Sequence, residues 1–209
     1  MVKLQTTNGR VVEPRTGYTG AKMGMWFFLI TEMLFFGGMF LLYSVYRFRY
    51  SLAFHTAALD ENLLIGSINT AVLITSSFTL AISISAIRKG NRTLSLGLQA
   101  CTILLGCIFL VNKYIEWSAK ISQGIYPDSA LLILKGQGEI LFFGLYYVMT
   151  GIHAFHVIIG IAVISVMLLF TWRDKINRES FVKLENTGLY WHFVDIVWIF
   201  LFPLFYLVT

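Results

Sequence analysis

Five side chains in apolar stretches of this sequence are capable of acid–base or ligand chemistry: Glu32, His153, His156, His192 and Asp195. A carboxyl group and an imidazole can exchange a proton, and imidazole is also the commonest metal ligand in proteins. His153 and His156 are three residues apart, as are His192 and Asp195, so each pair shares one side of a helix. Ionisable groups are costly in hydrocarbon, so each of the five requires a partner or a function.

The stretches that carry these residues have the length and composition of membrane-spanning helices. Of the 209 residues, 57% are hydrophobic and 13% are charged, which lies outside the range of soluble domains. We therefore expect an all-α polytopic membrane protein, because about 20 apolar residues match the hydrocarbon thickness. The chain should have an amino-terminal segment at 1–22 and one five-helix domain at 23–209, with helices at about 23–46, 63–87, 94–117, 140–170 and 188–208.

The basic residues predict the orientation of the bundle. Lys and Arg cluster before the first helix, between the second and third, and between the fourth and fifth, so three segments on one side are basic. The positive-inside rule then places the amino terminus in the cytoplasm and the carboxyl terminus outside. The net charge of +5 follows from this topology, and we expect no nucleic-acid partner. The segments 47–62 and 120–138 are expected to be external loops.

The depth of the five ionisable groups allows them to meet. Glu32 lies about ten residues inside the first helix, which is roughly 15 Å deep and near the bilayer centre. The other four also fall in the central or inner zone, so all five can converge into one buried polar cluster. We expect Glu32 to form a hydrogen bond with His153 or with another group of the fourth helix.

Three interpretations of such a cluster remain open from the residues alone. The first is structural, in which the groups satisfy one another between helices or hold lipid head groups. The second is haem or metal ligation, although only His192 stands opposite the pair His153 and His156. The third is proton transfer or transport through Glu32 and Asp195, although the chain lacks the inverted repeats of many transporters.

Other polar and aromatic residues predict contacts between helices or at the membrane interface. Asn69, Ser76 and Ser83 recur every seven residues, which is typical of a helix face that packs on protein. Lys113 and Glu116 are three apart at the end of the third helix, where we expect an interfacial ion pair. The candidates for contact with lipid or with another subunit are Trp26, Glu116, Trp117, Tyr190, Trp191 and Trp198.

Read in order, several segments resemble subunit III of the haem-copper terminal oxidases, the cytochrome c oxidase subunit III family. They are GMWFFLITEMLFFGGMF at Gly24 to Phe40, INTAVLITSS at Ile68 to Ser77, YIEW at Tyr114 to Trp117, TGIHAFHVIIG at Thr150 to Gly160 and YWHFVDIVWIFLF at Tyr190 to Phe202. The resemblance extends from about Lys22 to the carboxyl terminus. Five helices match the short bacterial form, in which the first helix corresponds to the third of the seven-helix form.

The resemblance implies a subunit with no active site, haem or copper of its own. Haem and copper would be in partner subunits, and the chain would pack against subunit I, together with subunit II and a small subunit IV. The family binds phospholipid between its helices and supports proton or O2 access. Glu32 matches the family's carbodiimide-reactive carboxyl, and His153, His156, His192 and Asp195 match its other buried polar groups.

The resemblance leaves related functions open. A quinol oxidase or nitric oxide reductase accessory subunit shares the fold, and a haem-binding electron carrier and a proton or solute transporter are further alternatives. A bacterial cytoplasmic membrane is the expected location.

Overall fold

The computed structural model describes residues 6–7, 10–11 and 15–207, with side chains from residue 19 onward, and is almost entirely helical. Two short strands, β1 (Thr6–Thr7) and β2 (Arg10–Val11), pair antiparallel with Thr6 opposite Val11. Within the described residues, the helices are α1 Arg15–Arg49, α2 Ser51–Leu59, α3 Leu63–Arg88, α4 Arg92–Ser122, α5 Ala130–Lys135, α6 Gln137–Trp172 and α7 Val182–Phe202, followed by a π-helical turn at Pro203–Leu207.

Five segments are long and apolar enough to cross a membrane, which confirms the predicted all-α bundle. They are Thr19–Arg49, Leu63–Arg88, Arg92–Ser122, Gln137–Trp172 and Val182–Leu207. The α3–α4 and α6–α7 turns lie at one end of the bundle, called here the inner end, and α2 and α5 lie at the other, called the outer end. The cytoplasmic placement of the inner end and the division into 1–22 and 23–209 stay predictions.

The helix boundaries follow from local capping chemistry. The side chains of Asn62, Asn91 and Ser129 each accept a hydrogen bond from the backbone N–H three residues later, at 3.1–3.2 Å, and so begin α3, α4 and α5. Gly90 ends the tight α3–α4 turn with a φ of 81°, which glycine adopts without strain. Pro203 lacks the N–H that would continue the α7 ladder, and the π-helical turn begins there.

The two segments expected as external loops are partly helical. The first contains α2 and the second contains α5, and α2 packs on α6. Phe54, Ala57 and Ala58 of α2 and Leu132 of α5 are buried. These short helices therefore cover the outer end of the bundle rather than extending into solvent.

A polar stripe joins α3 to α4 along their length. Asn112 donates to Asn69 at 2.9 Å, the hydroxyls of Thr79 and Thr102 are 2.8 Å apart, and Ser83 bonds Ser95 at 2.9 Å. Asn69 and Ser83 are fully buried, which agrees with the predicted protein-facing side of the helix. Small polar residues let two membrane helices approach closely and exchange hydrogen bonds of modest strength.

The helix α7 lies inside the bundle and α1 lies at its edge. Trp191 and Trp198 are fully buried, and their indole N–H groups donate to Ser76 at 3.0 Å and Thr70 at 3.1 Å on α3. In contrast, only 11% of the most apolar window of α1 is buried. Most of α1 consequently lies near the surface of the chain.

Candidate functional site

Glu32 and His156 form a pair near the middle of the membrane-spanning region. Glu32 Oε2 lies 3.1 Å from His156 Nε2, and their side chains are 21% and 13% exposed. His156 Nδ1 lies 2.8 Å from the Ile152 carbonyl. Because a carbonyl can only accept, Nδ1 carries a hydrogen, and Nε2 either accepts from a protonated Glu32 or donates to its carboxylate. The pair can therefore hold one mobile proton. The sequence predicted a hydrogen bond from Glu32 to the fourth spanning helix. That bond is present, and its partner is His156 rather than His153.

His192 and Asp195 lie at a similar depth on α7 but face α3. Ser77 Oγ is hydrogen-bonded to His192 Nδ1. Ser77 also contacts the Asp195 carboxyl. Asp195 is 4% exposed, and neither of its carboxyl oxygens has a hydrogen-bond partner of standard geometry among the described residues.

His153 occupies an aromatic setting. It is fully buried, its ring centroid lies 5.2 Å from that of Trp198 and 5.5 Å from that of Phe109, and neither ring nitrogen has a hydrogen-bond partner in the described part of the chain. It packs between α4 and α7, whereas His156 faces α1.

The structure therefore corrects the expectation that all five groups converge. They occupy three settings: the pair of Glu32 with His156, the Ser77 contacts of His192 and Asp195, and the aromatic packing of His153. The physical reason is helix geometry, because residues three apart differ by about 60° in direction around the axis. That difference is enough to aim two neighbouring histidines at different helices.

A groove of 530 Å³ separates α1 from α7, and its walls are almost wholly apolar. It runs from Trp26 to Phe40 along α1, which is about 20 Å at 1.5 Å per residue. The remaining lining residues are Leu29, Met33, Phe36, Gly37, Leu189, His192, Phe193, Ile196, Val197 and Phe200. A groove of this length and polarity fits an extended hydrocarbon chain.

A polar pocket of 310 Å³ continues the groove at the inner end, since both are lined by Leu189 and His192. Lys22, Arg88 and Glu185 also line it. Glu185 is buried and forms ion pairs with Arg88 and with Lys22, the latter at 3.0 Å. Two cations around one carboxylate leave a net positive charge beside the apolar groove.

An ionic cluster at the outer end was not predicted as a site. Lys113 Nζ donates to Glu116 Oε1 at 3.2 Å, to the Tyr146 hydroxyl at 3.2 Å and to the Tyr206 hydroxyl at 2.8 Å, and both hydroxyls bond Glu116. Lys113 and Glu116 are each only 4% exposed, which corrects the expected interfacial ion pair. The spacing predicted their pairing, but their burial depends on α6 and the carboxyl-terminal turn, which no local pattern shows.

The cluster extends outward through Glu61 and Lys120. Lys120 Nζ lies 2.9 Å from Glu61 Oε1, and the two side chains are 7% and 0% exposed. The Lys120 ammonium also lies 5.5 Å from the ring centroids of Phe143 and Tyr146. Buried cations on aromatic faces gain from the negative ring faces. Glu61 and Lys120 belong to the two segments, 47–62 and 120–138, that were expected to be external loops.

The residues proposed for lipid or subunit contact are divided between the surface and the interior. Trp26 is 56% exposed, and Trp117 is partly buried against Tyr147 with ring centroids 5.3 Å apart. The structure places the other four inside the bundle: Glu116, Tyr190, Trp191 and Trp198. They lie on helix faces that pack against α3 and α6, so their partners in this chain are neighbouring helices.

Metal ligation was one of the open interpretations of the histidines. Among the residues that the structure describes, no group of three or more His, Cys, Asp or Glu side chains is arranged to hold a metal ion. The expectation that haem and copper belong to partner subunits stays a prediction.

Comparison with known proteins identifies relatives over nearly the whole chain. The family model for cytochrome c oxidase subunit III matches residues 6–209. "Cytochrome c oxidase subunit 3" of Thermostichus vulcanus is 31% identical, over 90% of this chain and 87% of the relative. "Probable quinol oxidase subunit 3" of Staphylococcus haemolyticus is also 31% identical, over 90% and 88%.

A further relative is longer than this chain. "Heme-copper oxidase subunit I+III" of Aeropyrum pernix is 30% identical over 90% of this chain, which spans only 22% of that relative. The family match and the two relatives of similar length agree with the five spans and with the ordered motifs. The chain belongs to the cytochrome c oxidase subunit III family.

Proposed function

We propose that this chain is the non-catalytic subunit III of a respiratory haem-copper oxidase. It packs against subunit I, in which O2 is reduced to water with coupled proton pumping, and it stabilises that subunit alongside subunit II and a small subunit IV. The observation that carries the proposal is the family match over residues 6–209. The relative from Aeropyrum pernix supports direct packing, because its name joins subunits I and III.

The proposal covers oxidases that take electrons from cytochrome c and from quinol. The relatives named for the two kinds of oxidase are equally similar to this chain, at 31% identity. The location in this proposal is a bacterial cytoplasmic membrane, with the inner end of the bundle in the cytoplasm. The basic residues of the α3–α4 and α6–α7 turns support that orientation.

A phospholipid in the groove between α1 and α7 is part of the proposed role. The 530 Å³ groove is apolar, as an acyl chain requires, and the adjoining pocket places Lys22 and Arg88 where a phosphate would lie. A lipid there would fill the space that separates α1 from the rest of the bundle. Proton or O2 access is supported by the Glu32–His156 pair, which can hold a proton, and by the apolar groove, into which O2 partitions.

Copurification tests the proposed assembly. Affinity purification of the tagged chain from native membranes in mild detergent should recover a haem-copper subunit I in equal amount, with its haem absorption. Recovery of the chain alone would overturn the proposal. A stoichiometric haem spectrum from the isolated chain would instead favour an electron carrier.

Two neighbouring glycines test the lipid site. Gly37 lines the groove and Gly38 does not, and an added Cβ would meet no atom within 4 Å at either position. We expect Gly37→Phe to fill the groove and to remove the lipid adduct seen by native mass spectrometry. Gly38→Phe, which adds the same ring on the exposed side, should retain it. Equal lipid retention in both variants would contradict the site.

Glu32 tests the supporting role. Glu32→Ala removes the carboxyl that pairs with His156, so we expect the assembled oxidase to keep its full haem content but to lose activity sooner during sustained turnover. Asp128→Asn, in the exposed segment between α4 and α5, is the control and should match the wild type. Loss of haem from the Glu32→Ala complex would contradict the assignment.

A further inference from the structure

The outer ionic cluster comprises Glu61, Lys113, Glu116, Lys120, Tyr146 and Tyr206. It lies apart from the proposed lipid groove, and its one predicted contact residue, Glu116, is buried inside the bundle. It joins α4, α6 and the carboxyl-terminal turn to the segment that connects α2 with α3. Among its members, Glu61 differs in position. It follows α2 and precedes the α3 span, so it lies outside the membrane-spanning segments, yet its side chain is 0% exposed.

The two carboxylates of the cluster are held very differently. Glu116 Oε1 accepts from Lys113, Tyr146 and Tyr206, so its charge is compensated by three donors. Glu61 Oε1 has a single charged partner, Lys120 at 2.9 Å, and in both carboxylates Oε2 has no hydrogen-bond partner among the described residues. A buried carboxylate with so little compensation favours the protonated form. Glu61 is therefore the member of the cluster best suited to change its charge.

Exposed charged groups lie next to the buried Glu61. Its chain neighbour Asp60 is 43% exposed in its side chain and binds Lys135 at 3.1 Å, while the Lys120 ammonium lies 3.4 Å from the Asp60 carbonyl. Lys135 in turn binds Glu139 at 3.3 Å. Asp60, the residue before Glu61, therefore brings an exposed ion pair close to the buried carboxyl.

From this geometry we propose that Glu61 is a proton-binding site that exchanges with the outer aqueous phase and, when protonated, releases Lys120 from its ion pair. The proton comes from water at the outer end, binds to a carboxylate oxygen and returns the same way. The occupant is a proton alone, and no other reactant takes part. The consequence is a change in the charge beneath the short helices α2 and α5.

The groups that face Glu61 come from every element packed around it. They are Asp60 beside it, Lys113, Glu116 and Lys120 on α4, Tyr146 and Tyr147 on α6, Tyr206 in the carboxyl-terminal turn and, through Asp60, Lys135 on α5. Burial raises the pKa of the Glu61 carboxyl to about 7, against the lowering effect of Lys120.

The direction of the pH effect on stability follows from that pKa. The pKa of the Glu61 carboxyl is higher in the folded chain than its ordinary value of 4.5, so the folded chain binds this proton more tightly than the unfolded chain does. Protonation of Glu61 therefore stabilises the folded chain. Its contribution to stability is present below about pH 4.5 and is lost as the pH rises through about 7. The outer end is therefore more stable on the acidic side of neutrality.

Infrared titration of the chain in lipid nanodiscs tests the site directly. Between pH 4 and pH 9, we expect a carboxylic acid C=O band that disappears with a midpoint near 7, because exposed carboxyls are already ionised well below that pH. Glu61→Gln should remove this band. Asp128→Asn, an exposed residue at the same end with a φ of 68° that Asn also adopts, should leave it unchanged. Absorbance from other buried carboxyls, such as Asp195, is common to both proteins and cancels in the difference spectrum. A component with a midpoint near 7 that persists in Glu61→Gln would overturn the proposal.

A second variant tests the link between Glu61 and Lys120. Lys120→Gln removes the cation that stabilises the carboxylate, so the midpoint should rise by at least one pH unit, a tenfold change in proton affinity. An unchanged midpoint would overturn the proposed exchange. The melting temperature gives an independent readout: it should fall between pH 4.5 and pH 7 more steeply in the wild type than in Glu61→Gln. Identical pH profiles would also contradict the site.

Discussion

The first and last spanning helices, α1 and α7, are similarly apolar but packed very differently. The most apolar stretches of the two spans have mean hydropathies of 1.9 and 1.6. In those stretches, 11% is buried in α1 and 56% in α7. In α7, Trp191 fits against the bare backbone of Gly160, where a Cβ would lie 2.6 Å from the indole ring. In α1, Phe27 and Leu34 are 64% and 72% exposed. Hydropathy therefore identifies a span but does not say whether protein, lipid or another subunit covers it.

Polar contacts attach α1 to the bundle at three levels. Lys22 binds Glu185 at the inner end, Glu32 binds His156 near the middle, and the Tyr43 hydroxyl donates to the Leu204 carbonyl at the outer end. Between these contacts lies the groove. The core helices, in contrast, interlock continuously. Substitutions in the core should consequently cost more stability than matched substitutions in α1.

The largest expected effect is that of Glu116→Ala in the core. Removal of the carboxylate leaves Lys113 as a buried cation without its anion, and loss of one member of a buried ion pair costs about 3–5 kcal/mol. The measurement is the free energy of unfolding of the purified chain in mixed micelles with increasing SDS.

A double variant separates charge from packing at the same place. Lys113→Met combined with Glu116→Leu removes both charges and keeps most of the side-chain volume. We expect it to recover a large part of the lost stability, since replacement of a buried pair by apolar residues is often nearly neutral. A double variant as unstable as Glu116→Ala would show that the tyrosine hydroxyls, rather than the unpaired charge, determine the cost.

A pair of glycines gives the next largest contrast. Gly160→Ala places a methyl group 2.6 Å from the Trp191 ring, and overpacking of this kind costs about 1–3 kcal/mol. Gly37→Ala on α1 adds the same group where no atom lies within 4 Å, so its stability should be unchanged or higher. The same SDS unfolding assay compares them. Equal losses from both would mean that α1 is packed more tightly than its exposure indicates.

Sequence patterns predicted the features that depend on one helix at a time. The five spans follow from composition, and the face formed by Asn69, Ser76 and Ser83 follows from a seven-residue repeat. The pairing of Lys113 with Glu116 follows from their spacing. Each of these is fixed by the rise and rotation of a single helix.

Features that depend on several helices could not be read in the same way. The burial of Lys113 requires Tyr206 from the end of the chain, 93 residues away. The ion pair between Glu61 and Lys120 requires the segment after α2 to fold back over α4. The separation of His153 from His156 depends on which helices lie on either side of α6. Periodicity gives the direction of a side chain, whereas its partner is set by tertiary packing.

The smallest expected effect is that of Glu32→Gln on the isolated chain. Glu32 lies near the middle of its span and Glu116 near the end of its own, but the Glu32 side chain is 21% exposed and has one partner, His156, among the described residues. Because hydrogen bonds between membrane helices contribute about 0.6 kcal/mol on average, we expect a loss below about 1 kcal/mol in the SDS unfolding assay. A loss comparable to that of Glu116→Ala would mean that the pair fixes α1 to the bundle. If the isolated chain loses little stability but the assembled oxidase loses activity sooner, Glu32 acts in the complex, through the exposed face of α1, rather than in the folding of this chain.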